Sequence, residues 1–342
     1  MPKVRELHPD QPLKVVALGG GTGLAALLRA LKPEATRPQD PWRLTGIVTV
    51  SDNGGSSGRL RSELGGIPPG DLRNCLSALT EDTSILADLL AYRFKGEGPL
   101  AGHALGNLML LAAADLTGNW AKGLRLLGES LVTAGRLVPS TAVPVNLLAE
   151  SWEGDSYVGE VAVNAGRAPF PRIWLEPRDP EPLPEALLAV LQADLVLFAP
   201  GSLHTSTLPN LLIPELQAAI RHSSAPRIYV ANLMTEAGES TGLDLEAHVA
   251  ILQAFGGLAL DAVLVNDLSP SPEALAAYAA QGLLPLQARS ASLVGVPVVQ
   301  APLLDPEGAQ VRHEPIRLNG AIRALVADLR ELPASAGRGI LR

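Results

Sequence analysis

The stretch KVVALGGGTGL, residues 14–24, places a glycine-rich loop directly after a short β-branched run. A run of this kind that ends at glycine is typical of a buried strand, and Lys14–Leu18 is predicted as the first strand. Leu24–Leu31 is predicted as a helix that ends near Pro33, and TGIVTV, residues 45–50, as the next strand. A strand, a glycine loop, a helix and a second strand in this order open a doubly wound parallel sheet.

The same alternation of strands and helices returns later in the chain. Short apolar strands are predicted at Leu195–Ala199, Arg227–Ala231, Ala262–Val265 and Val296–Val299. Helices are predicted at Asp71–Leu79, Ile85–Phe94, Ala104–Leu116, Leu208–Ile220, Leu245–Ala254, Pro272–Ala280 and Ile316–Arg330. We therefore expect an α/β, Rossmann-like fold with a doubly wound, mostly parallel sheet.

Residues 131–176 have a different pattern, in which β-rich runs alternate with Gly, Asn and Pro. The runs are Leu131–Val132, Val143–Leu147, Tyr157–Val163 and Arg172–Leu175. This pattern predicts a β-hairpin or meander inserted on the sheet. Because no linker rich in Gly or Ser is present, residues 1–333 are expected to form a single α/β domain, followed by a loose tail at 334–342.

Composition excludes several classes of protein. Hydrophobic residues make up 47% of the 342 residues, which is enough for a sizeable core, and the formal net charge is −8. That charge argues against nucleic acid or an anionic membrane as a partner. The single cysteine, Cys75, excludes an internal disulfide and a multi-cysteine zinc site. Met1–Lys14 lacks an apolar signal core and the longest apolar stretch, Leu108–Ala114, is too short to span a bilayer, so we expect a cytoplasmic protein.

The first glycine loop is a candidate phosphate cradle. Gly20, Gly21 and Gly23 permit positive φ and a close approach of backbone N–H groups, and Thr22 adds a hydroxyl. The predicted helix that follows directs its positive end to the same place. The alternative is a tight turn without ligand. Leu24 stands where a dinucleotide fingerprint has its third glycine, which speaks against a standard NAD site.

The second loop, SDNGGSSGR, directly follows the second strand and is expected to face the first loop. Asp52 is a candidate for a ribose hydroxyl or a metal ion, and Arg59 for bidentate contact with phosphate oxygens. Asn53, Ser56 and Ser57 complete its polar set. The alternative reading is a mobile surface loop.

Two further polar segments open predicted helices. In PPGDLRN, Asp71 is a natural helix cap, and Arg73 lies in the first turn, where an anion would be bound. In GHALGN, His103 and Asn107 are four residues apart and share one helix face. A structural role is the alternative for both, but an amide in so apolar a helix needs a partner.

The third glycine loop, PGSLHTS, follows the strand LVLFA and predicts a second anion cradle. Gly201, Ser202, Thr205 and Ser206 are its candidate contacts. Two cradles at one sheet edge suit a diphosphate, or a phosphate plus a second acidic group. Asn232 and the segment TEAGESTG, residues 235–242, leave the next strand at the same edge, where the segment could form a lid.

The sequence contains no nucleophile–base pair with useful spacing and no His/Cys metal pattern, so we assign no catalytic residue and no metal ligand. Residues 201–202 lack the flanking pattern of a nucleophile elbow. The pattern favours binding over chemistry and leaves enzymatic activity undecided.

In order, ALGGGTGL, TVSDNGGSSGRLR, PPGDLRNCL, GHALGNLML, APGSLHTSTLPNLL and NLMTEAGES resemble the bacterial gluconeogenesis factor family (YvcK/GlmR-like). That family is related to 2-phospho-L-lactate transferase, and the resemblance covers roughly residues 14–330. It implies a Rossmann-like fold, binding of UDP-N-acetylglucosamine or another UDP-sugar, and a regulatory role that links gluconeogenic carbon metabolism to cell-wall precursor supply and cell shape.

The resemblance also adds two site residues and several open questions. It implies that Tyr278 stacks on the base and that Arg312 contacts the ligand; from the sequence alone Tyr278 reads as a packing residue. Mg²⁺, a cell-wall precursor enzyme as protein partner and a homo-oligomer are left open. A transferase that moves a phospho-carboxylate group to an alcohol is the first alternative, but the loop SDNGG has one acid where the transferase has several. A dinucleotide-binding protein is the second alternative.

Overall fold

The computed structural model describes residues 11–81, 84–166, 168–308 and 310–331, so the tail predicted at 334–342 lies outside the described residues. The strands within these ranges are β1 (Lys14–Gly19), β2 (Arg43–Val48), β3 (Arg136–Pro139), β4 (Asn146–Glu150), β5 (Ser156–Val158), β6 (Arg172–Glu176), β7 (Leu195–Phe198), β8 (Arg227–Val230), β9 (Ala262–Asn266), β10 (Ser292–Leu293) and β11 (Val296–Ala301).

Among the described residues, eight strands form the central sheet in the order β10-β11-β9-β8-β7-β1-β2-β3. Every pair from β11 to β3 is parallel, and only the edge strand β10 runs antiparallel to its neighbour. The chain builds one half outward from β1 through β2 to β3, then crosses to β7 and builds the other half. This confirms the doubly wound fold, and it places the topological switch point between β1 and β7.

Helices cover the sheet and connect its parallel strands. Their bounds are α1 (Gly21–Ala35), α2 (Gly55–Leu64), α3 (Gly70–Leu79), α4 (Ile85–Ala91), α5 (Leu105–Thr117), α6 (Trp120–Ser130), α7 (Glu160–Ala165), α8 (Pro184–Gln192), α9 (Leu208–Leu211), α10 (Pro214–His222), α11 (Leu245–Gly256), α12 (Pro272–Ala279) and α13 (Pro315–Glu331). Strands β7, β8 and β9 are buried along their whole length, as expected for the centre of a sheet covered on both faces. No helix in the described ranges combines the length and apolarity needed to cross a membrane.

A second, small sheet accounts for the inserted β-rich segment. It has the order β5-β4-β6 and is antiparallel throughout, as the meander prediction required. Its extent is narrower than residues 131–176, because β3 belongs to the central sheet. The predicted run Leu131–Val132 is wrong: Leu131 ends α6 by donating its amide to the Leu127 carbonyl, and Val132 has a φ of +51°.

Two other predicted elements differ from the structure for local reasons. The run Tyr157–Val163 is a strand only to Val158, since Gly159 turns the chain at a φ of +88° into α7. The helix predicted at 208–220 is broken. A π-helical turn at Leu203–Thr207 leads into α9, and Pro214 begins α10 at a helix position where proline needs no N–H partner.

Candidate functional site

A cleft of about 1060 Å³ lies at the carboxyl ends of the central strands, beside the switch point. Most of the predicted site residues line it: Gly20, Gly21, Thr22, Gly23, Asp71, Arg73, Gly201, Ser202, Ser206, Asn232, Tyr278 and Arg312. The remaining predicted residues do not: Asp52, Asn53, Ser56, Ser57, Arg59, Asn107 and Thr205. A crevice at a switch point is where doubly wound folds bind ligands.

The first and third glycine loops pack directly against each other at the centre of the cleft. A Cβ on Gly23 would lie 1.8 Å from the Pro200 carbonyl oxygen, so only glycine fits there. Asn232 fixes the Gly201 peptide on both sides: its Oδ1 accepts from the Gly201 amide at 2.7 Å, and its Nδ2 donates to the Gly201 carbonyl at 2.8 Å. The strand ends of β1, β7 and β8 are thereby held in one rigid edge.

Backbone amides point into the cleft from the start of α1. Gly20 is the N-cap residue and offers no side-chain cap, and Gly21 follows with a φ of +56°. In the described part of the chain, the amides of Thr22 and Gly23 have no hydrogen-bond partner. Ser206 faces them from the other loop, with its Oγ 3.6 Å from the position of a Cβ on Gly21. Two sets of donors therefore meet at one point, which suits an anion.

The third loop is held from behind by the segment at 235–242. The Ser202 hydroxyl donates to both carboxylate oxygens of Glu236, at 2.8 and 2.9 Å, so it is not free for a ligand in this arrangement. The His204 amide donates to Glu239 at 2.9 Å, and both side chains are buried. Thr205 is buried and does not line the cleft. The segment expected as a lid is thus fastened to the cradle by two carboxylates.

Carboxyl groups gather at the end of the cleft nearest β2. Burial, and after it the charge of Asp52, raises the pKa of Asp71 to about 6, while a hydrogen bond from the Gly21 amide and the charge of Arg73 oppose the shift. Burial raises the pKa of Glu160 to about 9, and the nearby acids Asp52, Asp71, Glu239 and Glu236 add to it. Glu160 is therefore protonated at neutral pH and can donate a hydrogen bond.

Arg73 supplies the nearly buried positive charge of this region, with a side chain only 9% exposed. One of its guanidinium nitrogens donates to Asn74 Oδ1 at 2.5 Å, and its Nε has no partner among the described residues. Burial lowers its pKa, and the proximity of Arg93 lowers it further. A buried guanidinium with unused donors at a cleft wall is suited to an anionic ligand.

The opposite end of the cleft lies over β8 to β11 and has different chemistry. Tyr278, on α12 after β9, is partly buried against the core with its ring at the cleft wall. Arg312 is exposed there, and His313 lies beside it. Burial lowers the pKa of His313 to about 4, opposed by its hydrogen bond to the Ala231 carbonyl, so the ring is neutral. An aromatic ring and a guanidinium that line the same cleft are suited to a flat polar base.

The second glycine loop does not line the cleft. The Asn53 Oδ1 accepts from the Val161 amide at 3.0 Å, so the loop is hydrogen-bonded to the inserted segment. Arg59 lies on α2 and donates to the Ala101 carbonyl at 2.9 Å, away from the cleft. Asp52 accepts from the Gly54 amide at 2.7 Å, and its charge acts on Asp71 and Glu160 at the edge of the cleft.

The remaining residues of this group form a hydrogen-bonded cluster between α2 and α5. The Ser56 hydroxyl lies 2.9 Å from His103 Nδ1 and accepts from Asn107 Nδ2 at 3.1 Å. His103 and Asn107 are buried, and Ser57 is buried against Gly70 at the start of α3. The Asn107 Nδ2 thus has a partner within the protein, whereas its Oδ1 has none among the described residues.

Several cleft residues were missed by sequence reasoning. Arg29 lies two helical turns from Thr22 on the same face of α1, a spacing that could have identified it. Glu160 and Asn164 come from α7, a six-residue helix that the sequence does not signal. His313 is the neighbour of Arg312, and Glu236 belongs to the segment expected as a lid. Over the described ranges, no group of three or more His, Cys, Asp or Glu side chains is arranged to hold a metal ion.

Known proteins share this architecture. Residues 15–304 match the family model described as 2-phospho-L-lactate transferase CofD. A "Putative gluconeogenesis factor" of Aquifex aeolicus is 40% identical over 322 residues, which covers 92% of this chain and 97% of the relative. A "Gluconeogenesis factor" of Halalkalibacterium halodurans is 38% identical over 311 residues, or 90% and 95% of the two chains.

The solved structures agree with the sequence relatives. A crystal structure of a Bacillus halodurans protein superposes with a TM-score of 0.85 at 36% identity, covering 92% of this chain and 100% of that one. With a family model that matches most of the chain and relatives aligned over nearly their full length, this protein belongs to the gluconeogenesis factor family and carries a CofD family domain.

Proposed function

We propose that this protein binds a UDP-sugar, UDP-N-acetylglucosamine above all, and acts in the cytoplasm as a regulator that couples gluconeogenic carbon metabolism to cell-wall precursor supply and cell shape. One observation carries the binding proposal: two glycine loops meet at Gly21 and Ser206 in a cleft that has the Tyr278 ring at one end. The loops suit a diphosphate and the ring suits a uracil base. The regulatory part rests on the family resemblance.

The test is a titration with three ligands, in which binding is measured by calorimetry and by the shift in thermal unfolding. UDP-N-acetylglucosamine is expected to bind and to stabilise the folded protein by about 2.7 kcal/mol at 100 times its Kd. NAD and N-acetylglucosamine 1-phosphate are expected to bind far more weakly. The chain lacks the glycine fingerprint of a standard NAD site, and N-acetylglucosamine 1-phosphate has no base. Equal stabilisation by all three ligands, or by none, would remove the proposal.

A second candidate function, phospho-group transfer, is favoured by the match of residues 15–304 to the transferase family model. It is weakened by the single acid in the loop SDNGG and by Asp52, which accepts from its own turn. Incubation with Mg²⁺, an alcohol acceptor and a donor in which 2-phospho-L-lactate is joined to a nucleoside monophosphate through a diphosphate bond, followed by mass spectrometry, distinguishes the two functions. In the transferase reaction the acceptor oxygen would bond to the lactyl-side phosphorus, the diphosphate bond would break and the nucleoside monophosphate would leave. The binding proposal expects the donor to be recovered unchanged, and a new phosphodiester together with free nucleoside monophosphate would favour the transferase.

A further inference from the structure

The two ends of the cleft differ in charge, and the acidic end has no assigned ligand. In sheet order, Tyr278 and Arg312 follow β9 and β11, whereas Asp71 follows β2 and Glu160 comes from the inserted segment beyond β3. The glycine loops after β1 and β7 lie between these two groups. A diphosphate on the loops with its base on Tyr278 would therefore direct its other substituent toward Glu160.

We propose that this acidic end is a subsite for an uncharged, hydroxyl-bearing sugar, and that Glu160 and Asn164 of α7 determine which sugar is accepted. The inference rests on the proposed function, because it takes the nucleoside diphosphate as the anchored part of the ligand. It goes further by excluding a class of sugar and by naming the element that excludes it.

The charges around Glu160 favour a neutral sugar. Glu160 and Asp71 line the cleft, and Asp52, Glu236 and Glu239 are close enough to act on Glu160 electrostatically. The charges that act on Glu160 are all acidic, whereas the guanidinium of Arg73 acts on Asp71. A carboxylate or second phosphate placed beside Glu160 would therefore be repelled. Sugar hydroxyls carry no charge and can donate to the ionised carboxylates, so they bind without that penalty.

The side chains of Glu160 and Asn164 can both form hydrogen bonds with a sugar. The Glu160 carboxyl has no hydrogen-bond partner in the described ranges, although it is largely shielded from solvent at the cleft wall. Held in its protonated form, it can both donate to a sugar oxygen and accept from a hydroxyl. The Asn164 amide, one helical turn further on the same short helix, offers the same pair of functions.

Helix α7 is held in place at both of its ends. Its N-terminal side is fixed to the second glycine loop through the bond from the Val161 amide to Asn53. Its C-terminal side is in tight contact with the segment at 235–242, because a Cβ on Gly238 would lie 1.7 Å from the Asn164 carbonyl oxygen. Helix α7 is thus held on both sides and presents Glu160 and Asn164 to the cleft in a fixed position, as residues that determine specificity require.

The experiment is calorimetric titration of the full chain with UDP, UDP-N-acetylglucosamine and UDP-glucuronic acid. Wild type is expected to bind UDP-N-acetylglucosamine about tenfold more tightly than UDP, and UDP-glucuronic acid no more tightly than UDP. Glu160→Ala is expected to lower affinity for UDP-N-acetylglucosamine about tenfold and to leave affinity for UDP unchanged. Glu160→Gln, which keeps a neutral donor and acceptor, should retain the wild-type preference, and Asn164→Ala should weaken it.

The matched control is Glu153→Ala, an exposed carboxylate of the same inserted segment that does not line the cleft. It is expected to behave as wild type with all three ligands. An equal loss of UDP and UDP-N-acetylglucosamine in Glu160→Ala would overturn the inference, and so would tight binding of UDP-glucuronic acid to wild type. Absence of binding of both UDP and UDP-N-acetylglucosamine to wild type would instead refute the proposed function itself.

Discussion

Two glycine-rich segments of this chain follow adjacent strands, yet only one of them borders the cleft. Gly20–Gly23 follows β1 at the switch point, and Ser206 of the third loop lies opposite it. Gly54–Gly58 follows β2, one strand further out, and does not line the cleft; its neighbour Asn53 is hydrogen-bonded to Val161 of the inserted segment. In both segments a glycine is enforced by a carbonyl oxygen, at 1.8 Å for Gly23 and 2.1 Å for Gly58. Glycine content thus marks close packing of the backbone, and position relative to the switch point decides which loop is available to a ligand.

The largest effect is expected from Gly23→Ala. The new Cβ would force apart the first and third loops, because the Pro200 carbonyl belongs to backbone that cannot move alone. We expect UDP-N-acetylglucosamine affinity to fall at least about 100-fold, with a lowered melting temperature. The control is Gly98→Ala, since a Cβ there meets nothing within 4 Å. Wild-type affinity in a folded Gly23→Ala protein would break the assignment of the first loop to the ligand.

The next effect concerns Tyr278 at the far end of the cleft. Loss of the ring in Tyr278→Ala should reduce UDP-sugar affinity by about one to two decades, since base–aromatic stacking is worth roughly 1–3 kcal/mol. Tyr278→Phe keeps the ring and should keep most of the affinity. Because Tyr278 also packs against the core, the melting temperature of both variants must be measured beside affinity. A folded Tyr278→Ala protein that binds as wild type does would leave the base without this platform.

A pair of arginines compares the two glycine segments directly. Arg312 lines the cleft, whereas Arg59, on the helix after the second segment, donates to the Ala101 carbonyl. Arg312→Ala should weaken binding about tenfold, at the low end for a charged contact because the side chain is exposed to solvent. Arg59→Ala should change affinity by less than about twofold. A larger loss in Arg59→Ala than in Arg312→Ala would show that the second segment does take part in binding.

The smallest effect is a change in how stability depends on pH. The pKa of Glu160 in the folded protein, about 9, exceeds its ordinary value of 4.5, so folding holds a proton that the unfolded chain releases between these values. Stability conferred by this group is therefore lost as pH rises through that window. Asp71 acts in the same direction, between 3.8 and about 6. Glu160→Gln cannot ionise, and its melting temperature should decline less steeply than that of wild type between pH 7 and 9; parallel curves would contradict the assignment.

The sequence predicted the fold and the centre of the cleft because both depend on local patterns. Apolar runs ending at Gly19 and Pro200 identify adjacent strand ends, and parallel strands bring those ends to one edge. Glu160 escaped prediction because its helix is too short for a periodic signal. The absence of the second segment from the cleft lining escaped prediction because it depends on pairs distant in sequence, such as Asn53 with Val161, 108 residues apart, and Ser56 with His103, 47 apart. Single-residue propensities carry no information about such pairs.

The central claim is that a UDP-sugar lies across the switch point with its diphosphate between the first and third glycine loops. The most direct test is a crystal structure of the protein in complex with UDP-N-acetylglucosamine. The account predicts phosphate oxygens within hydrogen-bond distance of the Thr22 and Gly23 amides and of Ser206, the uracil ring on Tyr278, and the sugar beside Glu160. A ligand bound against the second segment or between the strands β4, β5 and β6 would contradict it.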